Sequence, residues 1–288
     1  MSGPRRPLVS VALLVTALAA PSAARAADAP VEKNPSPYQL KLEIDIPLFA
    51  SAMAIWILPS LVVGNQVPGP ACGNPPDTAP CDPAQLNALD RSVVGTAYPV
   101  ARTVANSLFA VPAAFALIDI LDGGKNWRGW LTDLVVVGEA AAINGALDEI
   151  VRRSVRRPRP YLYIAGAYPD DRLKPEATFS FYSGHSSTAF ALGVSLAYTF
   201  HQRHPDSAWR YAVWATLTAA AAAEPVLRVL SGDHFPTDVL VGSLIGTSVG
   251  LIVPVLHRRK DLVPGVKALS LVPTSRDGTT MLSLSGMF

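Results

Sequence analysis

Six long stretches poor in charge run through this 288-residue chain, and each must bury its apolar surface in a bilayer or against another helix. Ile46–Gly64 extends for about nineteen residues without a charge, enough for a helix to cross the hydrocarbon core. Val100–Leu121 follows, then Leu131–Val151, which carries Asp133, Glu139 and Asp148. Ser186–Phe200, Tyr211–Val226 and Thr237–Leu256 complete the set. Several are short or hold an acid, so hydropathy on its own picks out about three as spans. Ala and Gly are frequent, with Ala219 to Ala223 unbroken, which permits close helix–helix approach. Half the residues are apolar and 16% are charged, against about a quarter in an ordinary soluble domain. The expected fold is all-α, a multi-helix membrane bundle of five to six apolar helices. A net charge of +2, with no basic run interleaved with aromatics, argues against a nucleic-acid partner.

The two ends differ from the middle. Residues 1–26 read as a secretory signal: Arg5 and Arg6 precede a short apolar run, Leu8 to Ala20, and Ala24-Arg25-Ala26 offers a small-x-small cleavage site. The apolar run is short for an anchor, which favours cleavage. Residues 27–45 form a polar linker, 46–260 the helical domain, and 261–288 a tail. In that tail Leu269–Val272 and Met281–Leu284 flank Arg276-Asp277-Gly278, a hairpin pattern. Cys72 and Cys81, in a loop rich in Pro, Gly and Asn, suit a disulfide in an exported protein, and no Cys/His spacing suggests zinc.

Basic residues give an orientation. Lys125 and Arg128, Arg203 and Arg210, and Arg258 to Lys260 fall on one side if all six stretches cross, which the positive-inside rule makes cytoplasmic. The chain is then a multi-pass protein of a bacterial-type cell membrane. The cysteine loop and the polar clusters described next face the periplasm. A cleaved signal conflicts with this count, because it leaves the mature N-terminus outside. The conflict is resolved here by expecting that Ile46–Gly64 does not cross.

Three clusters carry chemistry, each at the edge of an apolar stretch. In the first, Arg152 to Pro160, the two prolines end a helix, putting Arg152 on its last turn and Arg159 just beyond. Guanidinium groups are permanent bidentate donors suited to phosphate oxygens. The bland alternative is a basic flank with the i,i+4 ion pairs Asp148–Arg152 and Glu149–Arg153. The second cluster, Ser180 to His185, precedes a helix whose free amides make an anion cradle around Ser183 and Gly184. His185 is placed there to deliver a proton. The third runs from Arg228 to Asp238, with Pro236 at a first helical position. Asp238 can then reach back towards His234 and leave its other ring nitrogen free to attack phosphorus. Alone, each cluster is better read as a cap or a helix flank.

Together they resemble the type 2 phosphatidic acid phosphatase / vanadium haloperoxidase superfamily, whose pattern is K-x6-RP, PSGH and SR-x5-H-x3-D. Arg152-x6-Arg159-Pro160 matches the first with Arg for Lys. Tyr182-Ser183-Gly184-His185 matches the second with Tyr for Pro. Leu227-Arg228-x5-His234-x3-Asp238 matches the third with Leu for Ser. The resemblance spans about Leu131 to Leu256. It implies that Arg152, Arg159, Ser183, Gly184 and Arg228 bind phosphate, that His234 is the nucleophile, Asp238 its orienter and His185 the general acid. Asp233 has no implied role, and Arg153, Arg156 and Arg157 are surplus charges available to a lipid headgroup.

The function implied is metal-independent hydrolysis of a phosphomonoester or diphosphate of a membrane lipid through a phosphohistidine, without a cofactor. A soluble periplasmic acid phosphatase and a vanadium-dependent haloperoxidase are the alternatives. A metal held by His185, His234, Asp233 and Asp238 is disfavoured by three nearby arginines.

Overall fold

A computed structural model describes residues 36–62, 72, 80–122, 126–259, 268–276 and 279–287. The proposed signal, residues 27–35 of the linker, Lys125 and Lys260 lie outside these residues. The chain is a multi-helix membrane bundle. Its helices are α1 (Leu42–Val62), the short α2 (Ala88–Arg91), α3 (Pro99–Leu108), α4 (Ala110–Asp122), α5 (Trp127–Val155), α6 (Gly184–Arg203), α7 (Trp209–Leu230) and α8 (Pro236–Leu256). The second apolar stretch is thus two helices broken at Phe109. Helix α6 packs on α5, α7 and α8, while α1 lies along α5 and α3 along α7.

Among the described residues, four helical stretches are long and apolar enough to cross a membrane: Leu42–Val62, Pro99–Leu117, Trp209–Leu230 and Pro236–Leu256. Helix α5 does not qualify, because it carries Asp133, Glu139, Asn144, Asp148 and Glu149. All five are buried inside the bundle, where intramembrane polar groups find partners. Asp133 pairs with Arg203 and accepts the Ser36 hydroxyl at 2.5 Å. Arg203 is therefore a buried ion-pair partner and carries little weight as an orientation signal.

Helix α1 covers most of the stretch that was expected not to cross. Its 21 residues turn Ile46, Leu48, Ile55, Leu58 and Leu61 outward, while Phe49, Ala52 and Met53 pack on Ala142 and Ala146 of α5. By length and composition it qualifies as a span. The segment before it is fastened to the far end of α8: the Gln39 amide donates to the His257 carbonyl at 2.8 Å and the Arg259 amide to Pro37 at 3.0 Å.

The α6–α8 contact depends on missing side chains. A Cβ on Gly242, Gly246 or Gly250 would sit 2.6, 2.0 or 2.7 Å from the carbonyl oxygen of Ser183, Ser187 or Ala191. One glycine per turn of α8 thus lets two backbones touch. Gly246→Ala is expected to push the helices apart. The cost is about 1–3 kcal/mol of overpacking, with a matching fall in turnover because both helices begin at the polar clusters. Thermal midpoints and initial rates in detergent check this. Gly138→Ala, whose Cβ would meet only Phe49 at 3.6 Å, serves as the tolerated control.

Outside the bundle, β1 (Ala268–Arg276) and β2 (Thr279–Met287) pair antiparallel, with Ala268 opposite Met287 and Arg276 opposite Thr279. Asp277, Gly278 and Phe288 lie outside the described residues. Cys72 and Cys81 are joined by a disulfide, and the Cys81 amide donates to Leu162 at 3.2 Å.

Candidate active site

Local rules put the three clusters at helix ends. Arg156 closes α5 in the left-handed region (φ 51°), and Pro158 and Pro160 prevent continuation. Arg152 therefore sits in the last turn, and Arg159 on extended backbone. Ser183 caps α6 by accepting the Ser186 amide at 3.3 Å. Pro236 opens α8, and Asp238 turns back to accept the Phe235 amide at 2.9 Å.

Backbone hydrogen bonds then draw the three ends together. The Ser180 amide donates to Arg157 at 3.0 Å, the Tyr161 amide to Gly232 at 3.1 Å and the Ser183 amide to Asp238 at 3.1 Å. Arg172 ties down the loop after α5 through the carbonyls of Tyr161, Ile164 and Ala167.

His234 is almost completely buried, and its Nδ1 lies 2.7 Å from the carbonyl oxygen of Ser180. A carbonyl can only accept, so Nδ1 carries the hydrogen and the Nε2 lone pair is free. Nε2 is buried and has no hydrogen-bond partner. Burial, reinforced by Arg159 and His185, holds the imidazole well below its ordinary pKa, so the ring is neutral.

Asp238 does not do what the spacing predicts. Its carboxylate accepts from the Ser180 hydroxyl (2.5 Å), the Phe235 amide (2.9 Å) and Arg157 (2.5 Å). The turn of α8 aims it at the segment that supplies the Ser180 carbonyl, so it supports the orienting group one bond removed from His234. Arg157 is likewise no surplus charge. It bridges Asp238 and Asp90, which is wholly buried and also accepts the amide and hydroxyl of Thr237, at 3.1 and 2.7 Å. Arg153 pairs with Glu149.

Asp233 gathers the arginines. Its carboxylate takes Arg102 through both Nε and a terminal nitrogen, meets Arg228 at 3.4 Å and Arg159 at 3.6 Å, and accepts the Ser231 hydroxyl at 2.8 Å. Burial opposes its charge, but Arg159, Arg102 and Ser231 outweigh burial and hold the carboxyl below its ordinary range. Arg228 is itself buried and bonded to Glu224 and Asn106. Arg102 lies on α3 with its guanidinium 3.9 Å from the Tyr168 ring centre.

Arg152 and His185 line one cleft of about 260 Å³ with Trp56, Phe109, Asp148, Gly184 and Thr188. Arg152 keeps its helix ion pairs with Asp148 (3.5 Å) and Glu149 while facing that cleft. Gly184 is needed there, since a Cβ would lie 2.4 Å from Asp148. Burial, then Arg228, Arg159 and Arg152, push the pKa of the His185 imidazole down to about 3, so the ring holds a proton only when negative charge such as a phosphate's enters among the arginines.

Arg152, Gly184 and His185 thus share a cleft, Arg159, His185 and Arg228 act electrostatically on His234, and Ser183 and Asp238 meet through the backbone; Arg102, Asn106, Asp90 and the Ser180 carbonyl were not foreseen. Arg102 had a signal, an arginine inside an apolar stretch. Asn106, a polar residue in the same apolar stretch, had the same signal; the Ser180 carbonyl had none, and Asp90, in the short helix α2, is distant in sequence from all three clusters.

Residues 133–261 match the model of the PAP2 superfamily. The chain is 29% identical over 122 residues to a lipid A 1-phosphatase of Rhizobium etli, covering 42% of this chain and 48% of that protein. It is 34% identical over 88 residues to one of Porphyromonas gingivalis, covering 30% and 18%. It therefore spans less than half the length of these relatives. A transmembrane PAP2-type phosphatidylglycerolphosphate phosphatase from Bacillus subtilis superposes at a TM-score of 0.43 with 21% identity, covering 74% of this chain and 94% of that one. LpxE of Aquifex aeolicus gives 0.40 and 22%, covering 58% and 92%. The family match runs from within α5 through α8, the helices that carry the three clusters, and over these residues the chain is similar to the PAP2 superfamily.

Proposed function

We propose that this site hydrolyses a phosphomonoester or diphosphate of a membrane lipid through a phosphohistidine, without a metal. The observation that carries the reading is the free, buried Nε2 of a neutral His234 among arginines. Nε2 attacks phosphorus, a P–N bond forms, and the lipid oxygen departs with a proton from His185. His185 then takes a proton from water as it attacks the phosphohistidine, releasing phosphate and restoring Nε2. Arg152, Arg159 and Arg228, with the amides at the start of α6, hold the charge that spreads over the phosphoryl oxygens.

Orientation follows from charge. Helices α5 and α7 run towards the site and α6 and α8 away from it, so Arg128, Arg210 and Arg258 lie at the opposite ends. The positive-inside rule then puts the site on the periplasmic side. The name lipid A 1-phosphatase carried by the relatives is the reason to try a lipid A 1-phosphate first.

The test is phosphate release by the purified chain in detergent from lipid A 1-phosphate, phosphatidate, phosphatidylglycerophosphate and undecaprenyl diphosphate. Activity is expected to persist in EDTA and to fall competitively with vanadate. Release from none of the four overturns the substrate class. Metal-reversible loss of activity in a chain that stays folded overturns the mechanism.

A further inference from the structure

We propose that Asp45, Glu139 and His257 bind a divalent transition-metal ion, zinc above all, at the end of the bundle away from the phosphate site. The ligand atoms of the three side chains all lie within 4.8 Å of one another. His257 Nε2 stands 3.4 Å from an oxygen of Asp45 and 3.4 Å from Oε2 of Glu139. That separation is the edge of a tetrahedron whose bonds are about 2.1 Å, the length zinc makes to nitrogen and carboxylate oxygen.

Each ligand is aimed from behind. His257 Nδ1 donates to the Val253 carbonyl at 2.8 Å, which turns Nε2 to the carboxylates as metal-bound imidazoles are turned. Asp45 uses Oδ2 to accept the Lys41 amide at 2.6 Å, leaving Oδ1 towards His257. Glu139 is 1% exposed, and its Oε2 makes no hydrogen bond; its cationic neighbour is the His257 imidazole, 3.4 Å away and held protonated against burial by Glu139 and Asp45, and a divalent ion would take that proton's place. Two carboxylates and a neutral imidazole balance a double positive charge, and a water fills the fourth position.

The ligands come from the first turn of α1, the middle of α5 and the residue after α8. An ion there fastens three helices. At about 1.5 Å per residue, Glu139 is about 20 Å along α5 from Arg152, and His257 about 30 Å along α8 from the nucleophile. The ion is structural and takes no part in phosphoryl transfer.

The full chain in detergent is stripped with chelator, incubated with zinc or cobalt(II), desalted and measured for metal content, visible absorption and thermal midpoint. About one zinc per chain, tetrahedral cobalt bands and a midpoint raised by zinc are expected. Glu139→Gln removes one charged ligand and should fold without metal, binding zinc at least tenfold more weakly and losing the zinc-dependent rise. Its phosphate release at low temperature should stay within about twofold of the parent, as phosphate chemistry proceeds elsewhere. A chain that takes up neither metal, or equal uptake by Glu139→Gln and His257→Gln, overturns the proposal.

Discussion

His234→Ala is expected to abolish turnover, with a loss on the order of 10⁴–10⁶-fold, the scale seen when a covalent nucleophile is removed. The free lone pair sits on Nε2 of a ring that the Ser180 carbonyl holds through Nδ1, an arrangement a methyl group cannot supply. His185→Ala should behave differently. It removes only the proton for the departing oxygen, so an alkyl lipid phosphate should suffer far more than an activated aryl phosphate. Acid quench of the wild type during turnover should trap phosphate on His234. Near-normal turnover by His234→Ala, or trapped phosphate on another residue, would disprove the assignment.

Arg157→Ala is expected to have the largest effect on stability, although Arg157 has no place in the family pattern. Its guanidinium is the shared partner of Asp90 and Asp238, both with fully buried side chains. Removing one partner of a buried pair costs about 3–5 kcal/mol, because the charge left behind has no solvent. Here two carboxylates are left at once, and Asp238 also holds Ser180. The midpoint in detergent should fall by on the order of 10 °C, with turnover lost in step. Arg157→Lys should recover only part of both, since an ammonium cannot span two carboxylates as a planar fork does. An unchanged midpoint in Arg157→Ala would show that the bridge contributes little.

The sequence made the architecture of the site legible wherever a local rule fixes geometry. Pro158 and Pro160 stop α5 where the arginines begin, Ser183 caps α6, and Pro236 starts α8, so each cluster could be placed at a helix end from its own residues. The arrangement between ends was less legible. Asp238 at three residues beyond Phe235 was expected to hold His234, but the same first-turn geometry serves Phe235 and Ser180 instead. Arg157 looked like one more positive charge because its partner, Asp90, lies 67 residues away in the short helix α2, outside all three clusters. Ile46–Gly64 was expected not to cross because a cleaved signal conflicts with the orientation read from loop charges, although α1 is long and apolar enough for a span. That count used Arg203, which α5 neutralises inside the bundle through Asp133. Long-range pairing of charge decides such matters, and no local period records it.

That a main-chain carbonyl orients the nucleophile has a consequence for how the reaction can be tuned. A carboxylate in that position would titrate and would lend negative charge to the ring as it becomes positive. A peptide oxygen does neither. It keeps the same tautomer in place in acid and in base, and no side-chain exchange at residue 180 can delete it. The positive ring formed on phosphoryl capture must then rely on the transferred group's own oxygens for its counter-charge. The intermediate is consequently a zwitterion held at close range, least stable when those oxygens are protonated, and its lifetime should shorten as the medium is acidified.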